Sequence, residues 1–460
     1  MSGCKIIFQE YWGQRNQISK GIWLLLFAYS LVAFGSPMPA KVTWLEIIMG
    51  GGLLLGGLAV TETVIIQARQ NCTARWSLIL LVFLFILPLY VGWARGNAIS
   101  DIMRDTIPVA FLLLLPMLLI YSASPANSSV LRTSIVAALV FVGLFTTIVF
   151  YIGLLNHFGS IDFMVSEMRK AVVRLEVSQV PQPAHPSQTL SQTDALTNEK
   201  VRALFLKPFD PAMLFTAIFL SAWGIVLVVR AFRNYVTGIF LIGIGSLISY
   251  GFMVLGLRAY SALYALAICV VCLFQLRNRG FYIRLLPTIA FFCVVFWGQI
   301  DAVFHLLLVK QHVLGANGKI AEWSAVTTII LNTYQSIMLG IGWGGSFLNP
   351  IYGAETRFTH SILSFYLLKS GVIGLGMLLI IIGLLAFHIR EIGKANRFDI
   401  ALLIIMVSSI PPLLIGVLFE PTYKMLSYGL VLALFLLSLP EFKKPFFNIN
   451  NQYSRLRVTI

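Results

Sequence analysis

The sequence has 460 residues, of which 58% are apolar and only 11% are charged. Because soluble globular proteins are about 45–50% apolar and about 25% charged, this composition excludes that class and indicates a polytopic membrane protein. The formal net charge of +15 fits Lys and Arg in the cytoplasmic connectors of such a protein better than a nucleic-acid-binding surface.

Apolar runs of roughly 17–25 residues are long enough to cross a bilayer. We therefore predict an all-α integral membrane protein with about 12 transmembrane helices and two long extracytoplasmic loops that carry short amphipathic helices. The predicted spans are at about 21–36, 44–66, 76–93, 105–121, 131–155, 211–230, 235–256, 258–276, 281–300, 361–388, 399–419 and 424–440.

The basic residues of the short connectors predict the orientation. Lys and Arg are more frequent in the connectors that face the cytoplasm when the N-terminus is inside, and both termini are basic as well. The segments expected on this basis are N-terminal helices 1–5 (1–155), a first outer loop (156–210), helices 6–9 (211–300), a second outer loop (301–360), and helices 10–12 with a cytoplasmic tail (361–460).

The two outer loops differ in composition. In the first, residues 162–177 have the pattern of an amphipathic surface helix, and residues 178–193 are rich in Pro, Ser, Gln and Thr, which is typical of mobile segments. In the second, residues 301–313 and 319–339 are predicted to be amphipathic, and a glycine-rich run follows at 340–345. Long loops on a helical bundle are common places for function.

The second loop ends at a histidine, His360, directly before a strongly apolar run. An imidazole titrates near neutrality, so it can take a proton from an attacking hydroxyl. Arg357 would share a helical face with His360 if the helix extended that far. Gly371 and Gly374 would let the helix pack closely against a neighbour. The alternative is an interfacial histidine without chemistry.

Three segments resemble the O-antigen ligase and O-antigen polymerase superfamily. The first is His360-Ser-x9-Gly371 at the end of a large outer loop between the ninth and tenth spans. The second, Gly256-Leu-Arg258-Ala, is similar to the family's Ser-Arg-Gly-Ala-type segment but departs from it on both sides of the arginine. The third is the Gly-x-Gly run at 340–345.

The resemblance implies a metal-independent, inverting glycosyltransferase without a cofactor in the bacterial inner membrane, with cytoplasmic termini and a periplasmic active site. Its donor would be a glycan on undecaprenyl diphosphate, and membrane lipids would surround it. The acceptor would be lipid A–core in a ligase or a second lipid-linked glycan in a polymerase, which these motifs do not separate. By resemblance, His360 is the general base and Arg258 holds the leaving diphosphate.

Other outer-face arginines are candidates to bind the diphosphate or an anionic glycan, because guanidinium groups bind phosphate oxygens bidentately. They are Arg95, Arg104, Arg174, Arg202 and Arg357. For Arg95 and Arg104, helical pairing with Asp101 and Asp105 is an equally good interpretation. For Arg258, the alternative is snorkelling to the membrane interface.

A lipid-linked oligosaccharide flippase is the alternative function. Transport favours ionisable residues near the bilayer midplane and matching interrupted helices in two halves. Here the charged residues of the spans, such as Glu46 and Lys369, are expected towards the span ends. A structural scaffold would leave the pattern of His and Arg unexplained.

Overall fold

The computed structural model describes residues 44–123, 128–159, 210–230, 232–255, 257–295, 319–350, 354–359, 361–392, 400–417 and 425–439. The predicted first span and almost all of the predicted first outer loop lie outside these ranges.

The described part of the chain is mostly helical. Its helices are α1 (Trp44–Gln70), α2 (Cys72–Ala94), α3 (Ile99–Ser122), α4 (Ser128–Phe158), α5 (Pro211–Arg230), α6 (Tyr235–Val254), α7 (Arg258–Gln275), α8 (Leu286–Val295), α9 (Lys319–Leu331), α10 (Tyr334–Leu339), α11 (Ile362–Ile392), α12 (Ile400–Gly416) and α13 (Met425–Ser438).

Seven helices within these ranges, α2 to α7 and α11, are long and apolar enough to cross a membrane. The helices α8, α9, α12 and α13 are apolar but shorter. The class predicted from composition, a multi-pass membrane protein built from helices, is therefore supported, and the number of 12 spans stays a prediction.

The buried apolar side chains form two large clusters. One joins α2, α3, α4, α11 and α13, and the other joins α5, α6, α7 and α12. Most of α5 is buried, so this helix lies inside the bundle. Helix α5 packs closely on α6 because both carry glycine at the crossing: a Cβ atom at Gly224 would lie 2.5 Å from the carbonyl oxygen of Gly238.

Helix α11 is broken at Gly371, which has φ +64° and ψ −165°. Only glycine adopts this conformation readily. The two carbonyls before the break bond outside the helix: Leu368 accepts from the amide of Ile341 (2.8 Å) and Lys369 accepts from the amide of Gly342 (3.0 Å). The expectation that Gly371 lets this helix pack closely against a neighbour is supported, because a Cβ atom there would overlap the backbone of Met338 in α10; the break itself was not predicted.

The described part of the predicted second outer loop forms a small folded unit. The predicted amphipathic piece at 319–339 is two helices, α9 and α10, and Thr333 caps α10 by accepting from the amide of Ser336 (3.1 Å). A short antiparallel hairpin follows, with β1 (Phe347–Asn349) paired to β2 (Ala354–Thr356). The sequence analysis did not predict this hairpin.

Candidate functional site

Residues 340–345, which we call the glycine loop, lie between α2, α3 and α11. The amide of Trp343 donates to the carbonyl of Pro88 (2.9 Å), and its buried indole Nε1 donates to the carbonyl of Phe85 (3.1 Å). Asn97, in the connector between α2 and α3, donates to the carbonyl of Trp343 (2.8 Å). The loop thus fills a groove whose walls are three different helices.

Glycine is required in this loop for two physical reasons. Gly340, Gly342 and Gly344 have φ values of +72°, +78° and +80°, a region that disfavours a side chain. The loop backbone also touches α2 directly, since a Cβ atom at Gly342 would lie 2.5 Å from the Cα atom of Gly92. The Gly-x-Gly spacing noted in the sequence is therefore explained by packing.

A buried ion pair anchors the glycine loop between α3 and α11. Lys369 Nζ lies 2.5 Å from Asp105 Oδ2, and the two side chains are 0% and 7% exposed. Asp105 Oδ2 also accepts from the amide of Gly344 (2.7 Å), and Lys369 Nζ donates to the carbonyl of Gly345 (2.5 Å). Lys369, which is expected towards a span end, lies in the first part of α11, two residues before the helix break, and is enclosed by protein.

A second ion pair joins the chain before α11 to the start of α3. Arg357 Nη1 lies 2.7 Å from Asp101 Oδ1, and the two side chains are 23% and 34% exposed. Arg357 follows β2 and precedes α11, so the helix on which it would share a face with His360 does not extend to residue 357. Asp101 pairs with Arg357 and Asp105 pairs with Lys369, two partners that the interpretation of helical pairing with Arg95 and Arg104 did not include.

The other two predicted arginines near α3 have different surroundings. Arg95 directly follows α2, and its Nη2 atom donates to Ser336 Oγ (3.1 Å), which ties the end of α2 to α10. Arg104 lies one turn after Asp101 in α3 and is half-buried. Arg95, Arg104 and Arg357 thus lie around one end of the α2–α3 hairpin.

The start of α11 is fixed against the end of α12. Ser361 caps α11 by accepting from the amide of Leu363 (3.2 Å), and its hydroxyl donates to the carbonyl of Val417 (3.0 Å). The amide of Ile362 donates to the same carbonyl (3.2 Å). The residue that follows His360 in sequence is therefore held by α12.

Arg258 is the first residue of α7 and is half-buried. Helix α7 packs against α12, and Tyr260 near the start of α7 belongs to the same hydrophobic cluster as Ile415 near the end of α12. The predicted site residues His360, Arg174 and Arg202 lie outside the described residues.

The anchoring contacts Asp105, Lys369 and Asn97 were not singled out as site residues from the sequence. A signal for two of them was present, because a lysine or aspartate within an apolar span is costly unless it has a buried partner. That signal does not identify the partner, which comes from a helix more than 250 residues away in sequence: Asp105 and Lys369 meet only in the folded bundle.

No family model, no curated protein and no solved structure matches the chain.

Proposed function

We propose that the protein is an integral-membrane glycosyltransferase of the O-antigen ligase or polymerase type. It transfers a glycan from undecaprenyl diphosphate to an acceptor hydroxyl on the periplasmic face of the bacterial inner membrane. The acceptor is lipid A–core for a ligase or a second lipid-linked glycan for a polymerase. The reaction inverts the configuration of the transferred sugar and uses the chain's own residues as base and anion-binding groups.

The observation that carries this proposal is the joining of two family-like segments into one unit. The glycine loop at 340–345 donates two amide hydrogens into the break of α11, and the break is at Gly371, the last residue of the His360-Ser-x9-Gly371 segment. Both segments therefore have a common structural purpose in fixing the start of α11. The third segment, at Arg258, begins α7, a helix that packs against α12.

In the proposed reaction, His360 takes the proton of the acceptor hydroxyl while its oxygen attacks the anomeric carbon. The bond between that carbon and the diphosphate oxygen breaks, and the electron pair leaves with the diphosphate. A fixed guanidinium group stabilises the charge that develops on the phosphate oxygens. The role of His360 rests on the resemblance alone.

The arginines near the glycine loop are held by protein contacts. Arg357 pairs with Asp101, and Arg95 donates to Ser336. Either would have to exchange a protein partner for phosphate. Arg258 is the first candidate for the leaving diphosphate because the resemblance assigns it that role, and Arg357 can contribute through its partly exposed pair.

Transfer by purified protein in proteoliposomes tests the proposal. The assay compares wild type with His360→Ala and Arg258→Ala, and Arg69→Ala, an exposed arginine at the other end of the α1–α2 hairpin, is the control. We expect His360→Ala to abolish transfer, Arg258→Ala to weaken the use of donor, and Arg69→Ala to behave as wild type. Normal transfer by both site variants, at equal membrane insertion, would reject the proposed roles.

One observation favours the alternative, a lipid-linked oligosaccharide flippase. The Asp105–Lys369 pair lies beside an interrupted helix, and both features are common in transporters. The same proteoliposomes separate the two functions if a donor labelled in one leaflet is followed with time. Appearance of label in the opposite leaflet without formation of product would favour the flippase.

A further inference from the structure

The glycine loop determines which of the two helices carries the acid of the Asp105–Lys369 pair and which carries the base. The loop presents one amide hydrogen, at Gly344, towards α3 and one carbonyl oxygen, at Gly345, towards α11. A carboxylate can only accept and an ammonium group can only donate. The acid must therefore be on α3 and the base on α11. In the reverse arrangement, the amide of Gly344 would face an ammonium group and the carbonyl of Gly345 would face a carboxylate, so neither loop group could form its hydrogen bond.

The Asp105–Lys369 pair is enclosed by protein. Lys369 Nζ also lies 5.7 Å from the ring centre of Phe365 on its own helix, and its side chain is 0% exposed. Since the ammonium group is inaccessible and its hydrogen bonds go to Asp105 and Gly345, it is not placed to touch a substrate. Lys369 can therefore affect the reaction only through the glycine loop and through α3, both of which it joins to α11.

The same loop and helix carry the contacts that fix the chain before α11. The loop amides at Ile341 and Gly342 donate to the carbonyls just before the break of α11. The part of α11 before the break is capped at its start by Ser361. On the α3 side, Asp105 lies one turn after Asp101, the partner of Arg357. The buried pair thus connects the two elements that hold residues 357 and 361 in place.

We propose that Asp105 and Lys369 are positioning residues: together they lock the glycine loop into the break of α11 and so fix residues 354–359 and Ser361 in the geometry that transfer requires. This inference rests on the proposed function, because it assigns the lock a purpose in that reaction. The lock depends on the direction of its hydrogen bonds and on the balance of charge between the two residues, because a single replacement leaves one buried charge without its counter-charge; it does not require that the two residues be charged.

Two double variants separate the direction of hydrogen bonding from charge. Asp105→Asn with Lys369→Gln is neutral but keeps an acceptor for Gly344, a donor for Gly345, and an amide–amide hydrogen bond between the two helices. Asp105→Lys with Lys369→Asp keeps the opposite charges but reverses the hydrogen bonds to the loop. A simple ion pair would be restored by the exchange of charges and weakened by the neutral double variant.

Hydrogen exchange of the full chain in lipid nanodiscs gives a readout that does not depend on activity. In Asp105→Asn, in Lys369→Gln and in the reversed double variant, we expect the amides of 341–344 and of 354–362 to exchange about tenfold faster or more, since local opening controls exchange. In the neutral double variant and in the control Gly376→Ala, exchange should stay near the wild-type rate. Unchanged exchange in the single variants, or full protection in the reversed double variant, would overturn the inference.

Transfer kinetics then test the consequence for the reaction. A misplacement of about 1 Å can cost about 100-fold in rate, so each single variant and the reversed double variant should lose about 100-fold in kcat with a KM within about threefold of wild type. The neutral double variant should recover most of the kcat. A kcat that stays at the wild-type value in variants with fast loop exchange would refute the positioning role.

The two proposals fail in different ways. If the wild-type protein transfers no glycan, the proposed function fails, and the exchange rates still decide whether the pair locks the loop. If wild type transfers glycan but the reversed double variant matches it in exchange and kcat, the lock fails and the proposed function stands.

Discussion

The replacement Gly371→Ala tests whether the break in α11 is built into the sequence. Gly371 has φ +64° and ψ −165°, and a Cβ atom there would overlap the carbonyl group of Met338 and lie 2.6 Å from the amide nitrogen of Leu339. A side chain at such a backbone conformation costs about 1–3 kcal/mol. Overlap with packed neighbours adds about 1–3 kcal/mol. We therefore expect Gly371→Ala to lower the free energy of unfolding by about 2–6 kcal/mol.

The same helix supplies a matched control. A Cβ atom at Gly376 would meet no atom within 4 Å, and alanine is favoured over glycine in a helix by about 1 kcal/mol. Gly376→Ala should therefore leave stability unchanged or raise it slightly. Titration of both variants with a denaturing detergent, followed by far-UV circular dichroism, measures the two changes under one set of conditions.

Hydrogen exchange of the same two variants tests whether the position of the glycine loop depends on the break in α11. Since the overlap at Gly371 is with backbone at the end of α10, Gly371→Ala should displace the glycine loop and speed the exchange of its amides. A Gly371→Ala protein that unfolds at the same detergent concentration as Gly376→Ala, with a protected loop, would refute the reasoning that α11 must be broken at this residue.

Two further replacements address the polar contacts around the loop. For the partly exposed pair Arg357–Asp101, a double-mutant cycle with alanine should give a coupling of about 0.2–1 kcal/mol, and a coupling above about 3 kcal/mol would contradict an exposed pair. The buried Asn349 donates to Glu322 Oε1 at 2.7 Å, so Asn349→Ala should cost about 1–3 kcal/mol by removing a hydrogen bond from a buried carboxyl oxygen. Thermal unfolding in detergent that matches wild type would contradict this role.

The membrane class and the helical segments could be predicted from the sequence because they depend on local composition. Long apolar runs form helices in a bilayer, where each backbone group must bond within its own segment. Each described helix from α1 to α7 therefore coincides with a predicted span, within a few residues at the ends. The positions of the connectors, and hence which residues stand near helix ends, followed from the same signal.

The break in α11 could not be predicted in this way. The glycine at 371 lies in an apolar run whose composition fits a continuous helix, and the conformation is decided by amides that arrive from the glycine loop. Likewise, helical spacing alone paired Asp101 and Asp105 with neighbouring arginines, whereas the folded protein pairs them with residues of the second outer loop and α11. Contacts between distant segments settle these questions, and local periodicity carries no information about them.

Two segments of the candidate site were singled out from the sequence. The sequence pointed to the segment around Arg357 and to the glycine-rich run, and the structure brings both to the end of the bundle where α2 ends and α3 begins. It did not identify the residues that hold these segments together. The sequence signal for Asp105 and Lys369 is a charged residue within an apolar span, which needs a buried partner of opposite charge. Which residue is that partner is decided only when α3 packs against α11.

The most direct measurement is the release of undecaprenyl diphosphate by the purified wild-type protein, given a defined lipid-linked glycan and an acceptor in proteoliposomes. Mass spectrometry of both products follows the bond that breaks and the bond that forms. Glycan transfer predicts that undecaprenyl diphosphate and glycosylated acceptor appear in equal amounts, and that both are lost in His360→Ala. Donor that crosses the bilayer intact, with neither product formed, would contradict the transferase and identify the chain as a carrier of the lipid-linked glycan.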